Sequence, residues 1–151
     1  MKLAEALVIR SDLQNKISEL ETRLENNATV QDGEKPAEDP KELLSQLDRA
    51  LEELEQFICR INLTNAAVQN DGKTMTELLA KRDCLKRRLG IMRDFLDCAS
   101  IPTHRTRANE IIIRSSIPVS EIQKSVDKQS AELRRLELDI QALNWSSDLM
   151  E

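Results

Sequence analysis

The chain has 151 residues, enough for one domain, and is 32% charged, 40% hydrophobic and 2% aromatic, with no Tyr, two Phe and one Trp. That is the composition of long helices packed through aliphatic seams, and it offers few aromatic platforms for stacking on bases or sugars. The net charge is −5, and residues 1–72 carry 8 Lys/Arg against 15 Asp/Glu. An acidic first half excludes a general nucleic-acid binder, which needs a clustered basic face.

The first helix is expected over residues 2–27. Its apolar positions are Leu3, Leu7, Leu13, Ile17, Leu20 and Leu24, and it ends near Asn26–Asn27. The N-terminal stretch carries Glu5, Arg10 and Asp12 and lacks a small-residue cleavage site, so it does not read as a signal peptide. The expected setting is cytoplasmic, with no membrane partner, since no apolar run approaches the length of a span. A polar connection, 28–39, contains Gly33 and Pro36.

The second helix is expected over 40–69. Asp39 serves as N-cap, Pro40 takes the first helical position and Glu42 the third. Leu44, Leu47, Leu51, Leu54, Ile58 and Ile61 alternate by three and four, which is a heptad seam, and Leu43, Ala50 and Phe57 widen it. A turn on Asp71–Gly72 stops this helix. Thr74 and Glu77 have capping-box spacing for a third helix over 75–99, with its seam at Leu78, Arg82, Leu85, Leu89, Met92, Leu96 and Ala99. A fourth helix over 119–143 follows Pro118, with Ile122, Val126, Gln129, Leu133, Leu136, Ile140 and Leu143 on one face.

The expected fold is therefore all-α: an up-down-up-down four-helix bundle forming a single domain over 1–151. One short strand, about 109–115, is expected between the third and fourth helices. There "ANEIIIRSS" (108–116) places three isoleucines between an Arg/Thr-rich segment and Ile117–Pro118. Two short strands are marginal in water, so pairing with "ATVQ" (28–31) would leave an apolar edge open. The edge is expected to pair with a second copy, making Ile111, Ile112, Ile113 and Arg114 an oligomer interface.

No strong catalytic pattern is present. With three glycines, neither a dinucleotide fingerprint nor a Walker loop can be written. His104 is the single histidine, and Cys59, Cys84 and Cys98 lie far apart, so no metal or cofactor is expected. The three thiols are expected to be small, buried or half-buried side chains. Glu52, Glu53 and Glu55 with Glu77 and Asp83 lack the spacing that would align carboxylates for metal-dependent nucleotide hydrolysis. The basic run "KRDCLKRR" (81–88) is expected to pair with the acidic faces of the first two helices.

Polar residues at seam positions are the remaining candidates. Asn62, Asn65, Arg82 and Asp83 form a candidate polar layer or pocket, most simply fixing helix register. Arg105 and Arg107, beside the strand, are candidate anion contacts if copies gather around an axis.

Several stretches resemble a family of small bacterial helical proteins often labelled septicolysin. They are "MKLAEALVIRSDLQNKI", "NATVQDGEKPAEDPKELL", "RINLTNAAV", "TMTELLAKRD" and "IQALNWSSDL". The resemblance spans nearly the whole chain. It implies an all-helical fold with a short strand before the last helix, and no catalytic residue. Its label suggests a pore-forming toxin, which neither an export signal nor a long apolar segment supports. The function expected from the residues is a non-enzymatic oligomeric scaffold or protein-interaction module, whose partners are itself and other proteins. The alternative is a binding module for a small anion or nucleotide.

Overall fold

In the computed structural model, residues 1–100 and 114–151 are described. Four helices carry the chain: α1 (Leu3–Asn26), α2 (Pro40–Ala67), α3 (Met75–Ala99) and α4 (Val119–Ser146). A two-stranded antiparallel sheet, β1 (Gln69–Asn70) and β2 (Lys73–Thr74), lies between α2 and α3. The all-α class with a small strand element thus holds. The strand expected over 109–115 falls mostly on residues outside those described, and Arg114 and Ser115 have no regular structure. Residues 28–31, its expected in-chain partner, have none either.

The helix bounds follow local chemistry. The Asp39 carboxylate accepts the Lys41 N–H at 2.9 Å, and Pro40 sits at the first helical position, where its missing N–H costs nothing. Between β1 and β2, Asp71 and Gly72 have φ of 49° and 76°. Two consecutive left-handed residues make the two-residue turn whose twist suits a hairpin. What the sequence suggested as a simple helix stop is therefore a miniature hairpin.

Two compact units can be distinguished: residues 1–75 with 142–151, and residues 76–141. In the first unit, α1 and α2 pack through Leu20, Leu43 and Ala50, with Ile17, Leu24 and Leu47 around them. The 28–39 connection is closed by one polar node. Asn27 donates to the Arg23 carbonyl at 2.8 Å and accepts the Glu38 N–H at 3.0 Å, while the Arg23 guanidinium grips the Glu38 carboxylate. That pairing holds the Glu38 carboxyl below its ordinary range. At the far end, residues 147–150 lie along the start of the chain. Leu3 N–H donates to Ser147 O at 3.0 Å, Leu149 N–H to Met1 O at 2.9 Å, and Lys2 pairs with Asp148 at 2.8 Å. Lys2 likewise keeps the Asp148 carboxyl below its usual value.

The buried face of α2 keeps Leu47 and Ile61 of the expected seam and turns towards the flank that Leu43 and Ala50 were expected to add. Leu43, Ala50, Ile61 and Thr64 are buried, whereas Leu44, Leu51 and Ile58 stand 48%, 44% and 40% exposed. Both rows are apolar at heptad spacing, so the sequence offered two seams. Ala50 lies in the inner row, and its small side chain suits a close helix contact.

The second unit joins α3 and the first part of α4. Leu89, Leu96 and Val126 form its core, with Leu85, Met92, Val119, Ile122 and Leu133 packed against them. The seams expected for these two helices are the ones observed. Each fully buried Leu or Ile contributes roughly 1.5–3 kcal/mol relative to exposure. Arg93 reaches Ser130 at 3.1 Å and Lys86 reaches Glu137 at 2.6 Å, which sets the two helices antiparallel.

Candidate functional site

The second unit carries an open groove between α3 and α4 of about 510 Å³, lined by Arg82, Lys86, Arg134, Glu137, Leu138, Ile140 and Gln141. That volume falls in the range of small-ligand sites. Its cations differ in availability. Arg82 pairs with its neighbour Asp83 at 2.7 Å, and Lys86 with Glu137. Arg134 makes no ion pair among the described residues, so its guanidinium is the cation an anion could engage with least competition. Lys81, next in the basic run, pairs with Glu132 at 2.5 Å. The ion-paired lysines of the 81–88 run thus meet α4, in place of the acidic faces of the first two helices. The cause is proximity: α4 shares the α3 core and offers Glu132 and Glu137 along its edge.

The expected polar layer divides between the units. Asn62 is exposed and Asn65 half-buried in the first; Arg82 and Asp83 bind each other in the second. Of the buried polar residues Asn27, Thr64 and Asn144, Thr64 is the one fully enclosed, at 0% exposed, and the sequence did not mark it. Its hydroxyl donates to the Arg60 carbonyl at 2.8 Å and accepts the Met150 N–H at 2.9 Å; Arg60 Nε donates to the Met150 carbonyl at 2.9 Å. No local signal marks it, because its second partner lies 86 residues away. Ile111, Ile112, Ile113, Arg105 and Arg107 lie outside the described residues, and Arg114 is exposed.

The second surface feature is apolar. On α2, Leu44, Leu51 and Ile58 repeat every seven residues on the outside. On α3, a row separate from the buried seam runs Cys84, Arg88, Ile91, Phe95, Cys98, all exposed. All three cysteines are exposed, contrary to the burial expected for them. Steps of seven on α2, and of four and three on α3, put each row on one side of its helix. A helix of a lone soluble domain normally has one such stripe facing its core. Among the described residues no group of His, Cys, Asp and Glu is placed to hold a metal ion.

Comparison with known proteins places these features in a family context. Residues 10–149 match the model of a family of unknown function (DUF6847). No curated protein matches the chain. A solved structure described as a functionally unknown conserved protein from Corynebacterium diphtheriae is 35% identical, covers 99% of each chain and superposes with a TM-score of 0.91. The septicolysin label has no counterpart in these matches; the family they identify is one of unknown function.

Proposed function

We propose that this chain, which belongs to the family of unknown function DUF6847, is a self-associating protein-interaction module that performs no chemistry of its own. The observation that carries this reading is the second apolar stripe on long helices: Leu44, Leu51 and Ile58 on α2, Ile91 and Phe95 on α3. Exposed apolar side chains scattered singly need no explanation, but rows at heptad spacing are the surface that a further helix covers. The isoleucine run at 111–113 supplies a second candidate contact, through strand pairing between copies. Light scattering on an eluting column tests the reading. The expected mass exceeds that of one chain, and a single-chain mass at every concentration contradicts it. The Ile112→Lys variant separates the contacts, since it lowers the mass only if the 108–116 segment joins the copies.

A second reading is favoured by one observation, the unpaired Arg134 in the α3–α4 groove. There the module would bind a small phosphate-bearing anion beside Arg82 and Lys86. Titration with inorganic pyrophosphate at low ionic strength tests it. Binding that weakens in Arg134→Ala supports it, and absence of heat even without added salt refutes it. The toxin reading attached to the septicolysin resemblance would need a membrane-active segment. No helix among the described residues is long and apolar enough to cross a bilayer.

A further inference from the structure

The outer row of α3 has an internal symmetry that points to one occupant. Cys84, Arg88, Ile91, Phe95 and Cys98 alternate by four and three, as the core positions of a coiled coil do. All five are exposed, with Ile91 at 60% and Phe95 at 44%. Ile91 is the midpoint: Cys84 and Cys98 lie seven residues to either side. Beside the row, Arg87 and Asp94 occupy the flanking positions one residue before Arg88 and Phe95. Neither makes an ion pair among the described residues.

Rotating a second copy of α3 by half a turn about Ile91 sets two such rows antiparallel. Ile91 then meets Ile91 of the other copy. Arg88 lies against the other copy's Phe95, where guanidinium and ring attract. Arg87 faces the other copy's Asp94, twice, because flanking positions of the same type meet in an antiparallel pair. Cys84 comes opposite Cys98 of the other copy, also twice. In a parallel pair unlike flanking positions meet, so Arg87 would lie against the other copy's Met92 and Asp94 against its Ala99, leaving both charges without a partner. The charge pattern is thus complementary to itself in one orientation only. Leu85 and Met92, on the other flank, pack against the core shared with α4, so α3 serves both contacts without conflict.

We infer that α3 is a homodimerisation helix, pairing antiparallel with α3 of a second copy through Cys84, Arg88, Ile91, Phe95 and Cys98. This rests on the self-association reading above and names its surface. It also gives the two thiols a shared position: an oxidant can join Cys84 and Cys98 of opposite copies. In that step the two thiols lose two hydrogens to the oxidant and one sulfur–sulfur bond forms.

The full chain is treated with diamide, which takes up the two hydrogens as it becomes a hydrazine, and is run on a non-reducing gel beside light scattering of the untreated protein. The expected result is a dimer mass and a covalent dimer that persists in Cys59→Ser. It disappears in both Cys84→Ser and Cys98→Ser, because each cysteine then faces a serine. Serine at these exposed sites leaves the fold intact, which circular dichroism checks. Arg87→Glu is expected to weaken dimerisation by about tenfold, and Arg87→Glu with Asp94→Arg to recover most of the loss. A dimer mass whose cross-link survives in either single variant overturns the antiparallel α3 pairing while leaving self-association standing. A dimer that does not cross-link at all does the same. A single-chain mass at every concentration overturns both.

Discussion

Replacing Thr64 by valine tests how residues 147–150 are held to α2. Valine keeps the shape and removes one oxygen. That oxygen accepts the Met150 N–H and donates to the Arg60 carbonyl. The Arg60 carbonyl remains paired inside α2, so the loss falls on the Met150 N–H. A buried donor left unpaired costs about 1–3 kcal/mol. Met150 itself is exposed, so its amide can turn towards water, and the lower end applies. The added methyl returns up to about 0.8 kcal/mol. The net expectation is a loss of about 1 kcal/mol, or roughly 2–4 °C in Tm. Urea unfolding followed by far-UV circular dichroism measures it. The same substitution is then made in a chain ending at Ser147, which lacks the Met150 amide. There it is expected to cost less than about 0.5 kcal/mol, because the partner is gone. An equal cost in both backgrounds would refute the reasoning, since the threonine would then act through packing alone.

Three further outcomes follow from particular contacts. Gly72→Ala is expected to cost about 1–2 kcal/mol through its positive φ alone, as an added Cβ would meet nothing within 4 Å; an unchanged urea midpoint would mean the β1–β2 turn is not held. Glu38 and Asp148 are both depressed by their cationic partners, so their contribution to stability is complete above the ordinary carboxylate range and is lost as pH falls below it. Glu38→Gln is expected to flatten the acid limb of a stability–pH profile, and an unchanged slope would show that the Arg23 pairing contributes nothing. Finally, Arg134→Ala is expected to weaken any pyrophosphate binding while leaving the solution mass unchanged, which separates the groove from the dimer contact.

Much of the fold was legible because its signals are local. Asp39–Pro40 announces a helix start wherever it folds, and the seams of α1, α3 and α4 face inward as their periodicity indicates. The rotation of α2 was half legible: Leu47 and Ile61 of the seam face inward with the flanking Leu43 and Ala50, whereas Leu44, Leu51 and Ile58 turn outward. Leu44, Leu51 and Ile58 are larger than Ala50, and hydrophobicity alone favours the larger row, while close packing against α1 takes the smaller one. Thr64 was invisible for a different reason: its burial is made by residues 147–150, which no sequence window joins to α2. The exposed row of α3 did have a signal, the placement of Cys84 and Cys98 equally far from Ile91. It was masked by the basic residues between them, which read as a charge run and draw attention to lysine pairing.

Equilibrium sedimentation of the wild type beside Ile91→Asp decides whether α3 joins two copies of the chain. The expected masses are twice the 17.2 kDa chain for the wild type and a single chain for the variant, with the same helical circular dichroism in both. A variant that keeps the dimer mass would contradict the α3 surface, and a wild type that stays at one chain mass would contradict self-association itself.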